Sequence, residues 1–326
     1  MRRKVFVTRR LPAEVLDFIA ANCELRIWDQ EDIPVPRALL EQEIADVDGL
    51  FCLITENIDR ELLRRAQHLK VISNMAVGFN NIDIQAATQQ GILVTNTPGV
   101  LTETTADLTF ALLLATARRL AEASNVLRSG DWKTWSPMML TGQDIFGATL
   151  GIIGMGRIGE AVAKRGKGFS MDVLYCNRTR KRDVEETLGV RYAELEQLLR
   201  ESDFVCVLAP YTSETKGLIG KKELALMKSS AILINTARGG IVDEQALYEA
   251  LKSGEIWAAG LDVFETEPIP LEHPLLQLPN VVAIPHIGSA SIKTRTAMAQ
   301  MAANHLVQGV TGRIPQHIVN RGVLKG

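Results

Sequence analysis

The chain of 326 residues is predicted to fold as α/β, with two doubly wound parallel-sheet domains. Two observations predict this. Through residues 4–100, short apolar runs of strand length alternate with amphipathic helical stretches, and a second alternation begins at Thr149. Repeating strand–helix units build a parallel sheet with helices on both faces. The second alternation also opens on TLGIIGMGRIG, an apolar run that turns through Gly154, Gly156 and Gly159 into a helical pattern.

In order, the first alternation gives strands at 5–8, 25–28, 49–54, 70–73 and 92–95, each a short apolar run suited to a sheet buried on both faces. Helices fall between them at 11–19, 37–44, 62–66 and 82–89, the last stopped by Gly91. Asn96-Thr97-Pro98-Gly99 breaks the pattern, and a single long helix is expected from Thr102 to Leu127. Residues 129–145 are loop-rich and hold Trp132 and Trp135, which are costly to expose; they call for cover by a partner subunit, a ligand or the chain itself. The second alternation gives strands at 150–153, 173–176, 204–209, 231–235, 258–263 and 281–284, and a final helix covers 292–310.

Composition excludes several classes of function. The net charge of −2 gives no global basic field for nucleic acid or an anionic membrane. The longest apolar stretch, 110–117, is too short to span a bilayer, and the basic N-terminus lacks the apolar core of a signal peptide. A cytoplasmic protein is expected. The four cysteines are scattered and read as buried reduced thiols, and no C-x-x-C or His-rich spacing points to a metal.

Strand, glycine turn and helix together form the dinucleotide fingerprint: Gly154 permits the tight turn, Gly156 lets the backbone approach a pyrophosphate, and Gly159 lets helix and strand pack. The pyrophosphate would sit on the free N–H groups opening the helix. About twenty residues on, an NAD site places an acidic residue against the ribose. This chain has Asn177-Arg178-Thr179 there, with Arg180, Lys181 and Arg182 following. No carboxylate repels a 2′-phosphate and Arg178 can grip one, so NADPH is the expected cofactor and NADH the alternative.

Three strand ends of the second domain carry chemistry. ILIN runs into Thr236-Ala237-Arg238, AAGLDVF into Glu265-Thr266-Glu267, and VVAI into Pro285-His286. Such ends are where the nicotinamide should lie. Carbonyl reduction needs a proton on oxygen after hydride delivery, and His286 can be the general acid. Glu267 can hold the imidazole and favour its charged form, and Arg238 can bind a carboxylate and polarise the carbonyl beside it. In the first domain, NMAVGFNN after the fourth strand offers the N–H groups of Val77 and Gly78 to a substrate carboxylate, although on this loop alone an ordinary turn is the better reading.

These stretches, with VTRRLPAE, TPGVLTETTAD, WKTWSPMMLTG and IPHIGSA, make the chain resemble the D-isomer-specific 2-hydroxyacid dehydrogenases over almost its whole length, and among them the NADPH-dependent glyoxylate/hydroxypyruvate reductases. The resemblance implies a flavodoxin-like substrate domain at 1–101 and 290–326, a Rossmann cofactor domain at 102–289, and a cleft between them. It implies reduction of glyoxylate to glycolate and of hydroxypyruvate to D-glycerate, with Arg238, Glu267 and His286 catalytic and Val77-Gly78 holding the substrate carboxylate. It adds Thr105, Arg157, Ile158, Ala209, Pro210 and Thr215 as cofactor contacts. At the nicotinamide end it adds Thr236, Ala237, Asp262 and Gly288, beside Arg238 and His286. It further implies a homodimer in which Trp135 reaches the partner's substrate site. Phe79, where many relatives carry Asp or Tyr, leaves substrate choice open. 2-Ketogluconate reduction and a dinucleotide-sensing interaction protein are the competing readings.

Overall fold

Short runs of buried apolar residues set the architecture, since only a sheet covered on both faces hides a strand such as Gly49–Cys52 completely. The computed structural model describes residues 2–325. They form two units, one of the residues up to Leu101 together with those from Ser291 onward, the other of Thr102–Ala290.

The first unit holds β1 (Lys4–Val7), α1 (Ala13–Asn22), β2 (Glu24–Ile27), α2 (Arg37–Ile44), β3 (Gly49–Cys52), α3 (Arg60–Arg65), β4 (Val71–Asn74), α4 (Ile84–Gln89) and β5 (Leu93–Thr95). The strands pair in parallel in the order β2-β1-β3-β4-β5. Asp59 and Asp83 open α3 and α4 by accepting from Leu62 N and Ala86 N, so each satisfies an orphan helix donor.

The second unit runs α5 (Thr102–Ala117), α6 (Leu120–Ser129), β6 (Thr149–Ile153), α7 (Arg157–Gly168), β7 (Asp172–Cys176), α8 (Arg182–Leu188), β8 (Arg191–Tyr192), α9 (Leu195–Glu201), β9 (Phe204–Val207), α10 (Lys221–Leu224), β10 (Ile232–Asn235), α11 (Glu244–Ser253), β11 (Ala258–Leu261) and β12 (Val281–Ala283). Its parallel sheet has the order β12-β11-β10-β9-β6-β7-β8. The order reverses between β6 and β9, so the fingerprint turn after β6 lies at the topological switch point, where such sheets bind ligands.

After β12 the chain returns to the first unit as α12 (Ile292–Val310). Ala299, Ala302, Ala303 and Leu306 of α12 are buried with Val5, Val7, Phe51 and Val71. Glycines let the helix approach closely: a Cβ on Gly309 would fall 2.6 Å from the Val71 side chain.

Two expectations are corrected. The long helix from Thr102 to Leu127 is two helices, broken at Arg118-Arg119, where Arg119 takes a left-handed φ of 53°. A side chain rarely adopts that conformation within a helix, and the Arg119 guanidinium binds Glu122 at 2.8 Å, anchoring the new start. The sheet also has a short edge strand, β8, which no apolar run announces. All four cysteines are free, and burial pushes the Cys206 thiol up to about 12.

Candidate active site

Gly154 carries a φ of 103°, and a Cβ there would fall 2.5 Å from Ala209 N in the loop after β9. A Cβ on Gly159 would fall 2.4 Å from the Gly154 carbonyl oxygen. Both positions therefore require glycine, one for conformation and close approach, the other for packing. Gly156 is different, because a Cβ there would meet nothing within 4 Å. It opens α7 without a side-chain cap, so the helix presents bare N–H groups to that open space. Arg157 and Ile158 form the first turn of α7, with Ile158 packed partly on the core. An anion backed by the helix dipole fits this turn.

The basic loop after β7 divides its charges. Arg180 is bound to Glu185 at 2.7 Å and Lys181 to Glu160 at 2.6 Å. Arg180 and the Tyr175 hydroxyl hold the Glu185 carboxyl down to about 2. Asn177 Nδ2 donates to the Thr179 carbonyl at 3.0 Å and tightens the turn. Arg178 is exposed and has no ion pair or hydrogen bond among the described residues. Across the switch point, Pro210 O accepts from Thr215 Oγ1 at 2.7 Å, which closes the loop after β9.

Arg238 follows β10, and its neighbours fix it. Asn235, buried at the strand end, donates from Nδ2 to the Arg238 carbonyl at 2.9 Å and accepts from Ala237 N at 3.1 Å. Gly239 lies so close to the loop after β11 that a Cβ would fall 1.9 Å from the Phe264 carbonyl carbon. That loop carries Glu267, whose Oε1 accepts from Phe264 N at 3.0 Å. The other carboxylate oxygen meets His286 Nδ1 at 2.6 Å. Burial pushes the Glu267 carboxyl up, but the His286 contact, the Phe264 amide and Arg238 outweigh it and leave the group below its ordinary value. Burial lowers the Arg238 guanidinium, against the pull of Glu267. Arg238, Glu267 and His286 thus share one electrostatic cluster at three neighbouring strand ends.

His286 takes a φ of 50°, a strained conformation for a side chain, and its N–H bonds Asp262 O at 2.9 Å and Ile284 O at 3.1 Å. The Asp262 carboxylate accepts from Ile287 N at 2.7 Å and Gly288 N at 2.9 Å. It therefore clamps the two peptides that follow His286. Burial pushes the Asp262 carboxyl up to about 6, although those amides pull the other way. Gly288 faces Asp262 and Thr105, and Thr105 accepts from Thr109, whose hydroxyl meets Thr236 Oγ1 at 2.7 Å.

The Glu267 loop has a support that residue type alone does not announce. Glu244, the first residue of α11, accepts from Glu265 N at 2.6 Å and faces His273 Nε2 at 3.3 Å. Burial raises its carboxyl. The acidic first turn after the Asp243 cap is visible in sequence, but its reach to the neighbouring loop is not.

Val77 and Gly78 lie in the first unit, after β4. Trp132 and Trp135 are 52 % and 72 % exposed, so their own chain does not cover them. Among the described residues no helix is long and apolar enough to cross a membrane.

Residues 110–288 match the model of the D-isomer specific 2-hydroxyacid dehydrogenase NAD binding domain. Over 326 residues the chain is 52 % identical to a glyoxylate reductase of Korarchaeum cryptofilum, covering 100 % of this chain and 98 % of that protein. A glyoxylate reductase of Thermococcus litoralis is 51 % identical over 99 % of this chain and 98 % of its own. Among solved structures, an NADPH-dependent glyoxylate/hydroxypyruvate reductase of Sinorhizobium meliloti, in complex with NADP and malonate, superposes with a TM-score of 0.88. It is 33 % identical, over 99 % of this chain and 98 % of that one.

Proposed function

Since the chain belongs to the D-isomer-specific 2-hydroxyacid dehydrogenases, enzymes with a nicotinamide dinucleotide cofactor, we propose that it reduces glyoxylate to glycolate and hydroxypyruvate to D-glycerate with NADPH. The observation that carries this reading is the 2.6 Å contact between His286 Nδ1 and Glu267 Oε2 beside the half-buried Arg238. When bound, the reduced nicotinamide supplies hydride to the carbonyl carbon. Arg238 binds the substrate carboxylate and polarises the ketone or aldehyde oxygen, and its desolvation strengthens both interactions. The N–H groups of Val77 and Gly78 are our candidates for gripping a substrate carboxylate. Glu267 orients the imidazole by accepting from Nδ1–H, leaving Nε2–H to donate a proton to the developing alkoxide. His286 recovers that proton from solvent, so each turnover consumes one.

Gly154, Gly156, Arg157, Ile158 and Gly159 would hold the pyrophosphate, with Ala209, Pro210 and Thr215 bordering the adenosine. Thr105, Thr236, Ala237, Asp262 and Gly288 would border the nicotinamide. Arg178, exposed and without a close ion pair while Arg180 and Lys181 are paired, favours the 2′-phosphate of NADPH. We take the active form to be a homodimer, a second copy covering the apolar surface around Trp135. The test is initial velocity with NADPH and NADH against glyoxylate, hydroxypyruvate, pyruvate and 2-ketogluconate. NADPH with glyoxylate or hydroxypyruvate should give the highest kcat/KM. Equal use of NADH would defeat the Arg178 reading, and a far higher rate on 2-ketogluconate would replace the substrate.

A further inference from the structure

Three successive carbonyls in the loop after β4 are each held by a donor from a strand end. The Ala76 carbonyl accepts from Thr97 N at 2.8 Å. The Val77 carbonyl accepts from Asn96 Nδ2 at 2.9 Å, and the Gly78 carbonyl from Asn74 Nδ2 at 2.9 Å. A carbonyl can only accept, so both side-chain amides must face it through nitrogen. Asn74 is fully buried, and its Oδ1 faces the Cys52 thiol at 3.7 Å. In a planar trans peptide the N–H points opposite to the preceding C=O. Holding these carbonyls therefore turns the N–H groups of Val77, Gly78 and Phe79 away from all three donors. Among the described residues none of these N–H groups donates to a protein acceptor.

We infer that Asn74 and Asn96 are positioning residues for substrate recognition: they set the peptide planes so that consecutive N–H groups converge on the substrate carboxylate as a backbone anion cradle. This rests on the reading of Val77 and Gly78 as the carboxylate grip. The role of the asparagines is indirect, since each spends its donor on a carbonyl of the loop. Removing either frees a peptide plane to rotate and costs a hydrogen bond to the carboxylate. The loss should fall on binding of the carboxylate and not on the chemical step.

The experiment compares glyoxylate with glycolaldehyde, an aldehyde of similar size without the carboxylate, in wild type, Asn96→Ala, Asn96→Asp and Asn74→Ala. In wild type kcat/KM should favour glyoxylate strongly. Each variant should raise the glyoxylate KM about tenfold, the worth of one charge-assisted hydrogen bond, with kcat and the NADPH KM nearly unchanged. Glycolaldehyde turnover should not move. Asn96→Asp, which turns an acceptor toward the Val77 carbonyl, should do at least as much harm as Asn96→Ala. Half-buried Asn96 keeps the test open if Asn74→Ala fails to fold. An unchanged glyoxylate KM in the Asn96 variants overturns the positioning role while the carboxylate grip stands. Equal losses on both substrates with a lower Tm also overturn it, in favour of a merely structural role. No preference for glyoxylate in wild type defeats the grip itself, and the positioning role with it.

Discussion

His286 combines a left-handed φ with a carboxylate partner, and each feature has a separate cause. The Asp262 carboxylate and carbonyl bind three successive N–H groups from His286 to Gly288, while Glu267 fixes the ring. The backbone cannot relax without breaking buried hydrogen bonds, so the strain is sustained by its surroundings. Replacing His286 by Ala should lower kcat by about 10²–10⁴, the usual worth of a general acid, while fluorescence titration finds NADPH affinity preserved. Survival of turnover would move the proton donor elsewhere. Glu267→Gln keeps the size but replaces the carboxylate that orients the His286 ring, and it should lower kcat with little change in the cofactor KM. The placement of Arg238, Glu267 and His286 at neighbouring strand ends was legible because polar residues ending apolar runs fall at the carboxyl edge of a parallel sheet. The clamp by Asp262 was not legible in the same way. Within LDVF it reads as one more strand-end residue, and only its burial beside the peptides after His286 reveals what it holds.

At the level of the element, the loops bearing Arg238 and Glu267 are locked by a glycine and a carboxylate. Gly239→Ala would place a Cβ within bonding range of the Phe264 backbone, which is not a flexible neighbour. It should lower the Tm by several degrees and depress kcat, because the loop that must move aside is the one that aims Glu267. Alternation and the glycine fingerprint made most strands legible, with ends displaced by one or two residues. The break at Arg119 was hidden because residues on both sides are good helix formers, and two-residue β8 is too short for any periodicity. The return of α12 to the first sheet depends on contacts far apart in sequence. That helix buries His305, which packs edge-on to His317 at 5.5 Å and has no partner for Nδ1 among the described residues. Burial, aided by His317, lowers the His305 imidazole to about 4. The folded state thus prefers the neutral ring. Its stabilisation is complete above the unfolded value near 6.5 and is lost as pH falls toward 4. By pH 4.5 the loss should be on the order of 2 kcal/mol. Melting curves should show His305→Leu losing less stability than wild type between pH 7 and 4.5, and parallel curves would assign the acid sensitivity to other groups.

For the whole molecule, one stretch of the second unit lacks cover by its own chain. Helix α6 has no buried residue, and Leu120, Leu127, Trp132, Trp135, Met138 and Phe146 are all more than half exposed. Six such residues fall within 120–146, a denser run of exposed apolar side chains than the isolated Ile33, Leu271, Ile292 and Ile314 elsewhere. The chain carries a net charge of only −2, which offers little repulsion against association. In the proposed homodimer a second copy would bring the same stretch to a self-complementary contact, the usual arrangement of a two-fold dimer. Sedimentation at micromolar concentration should therefore give twice the 35.8 kDa chain mass. Leu127→Glu with Met138→Glu buries two charges in that contact and should give a monomer that keeps its far-UV CD. If Trp135 completes the partner's substrate site, the monomer should share the defect of Trp135→Ala: a raised glyoxylate KM, with NADPH binding intact. A wild type that sediments as a monomer would refute the dimer. A dimer whose Trp135→Ala variant keeps the wild-type KM would retain the interface and remove the tryptophan from the site.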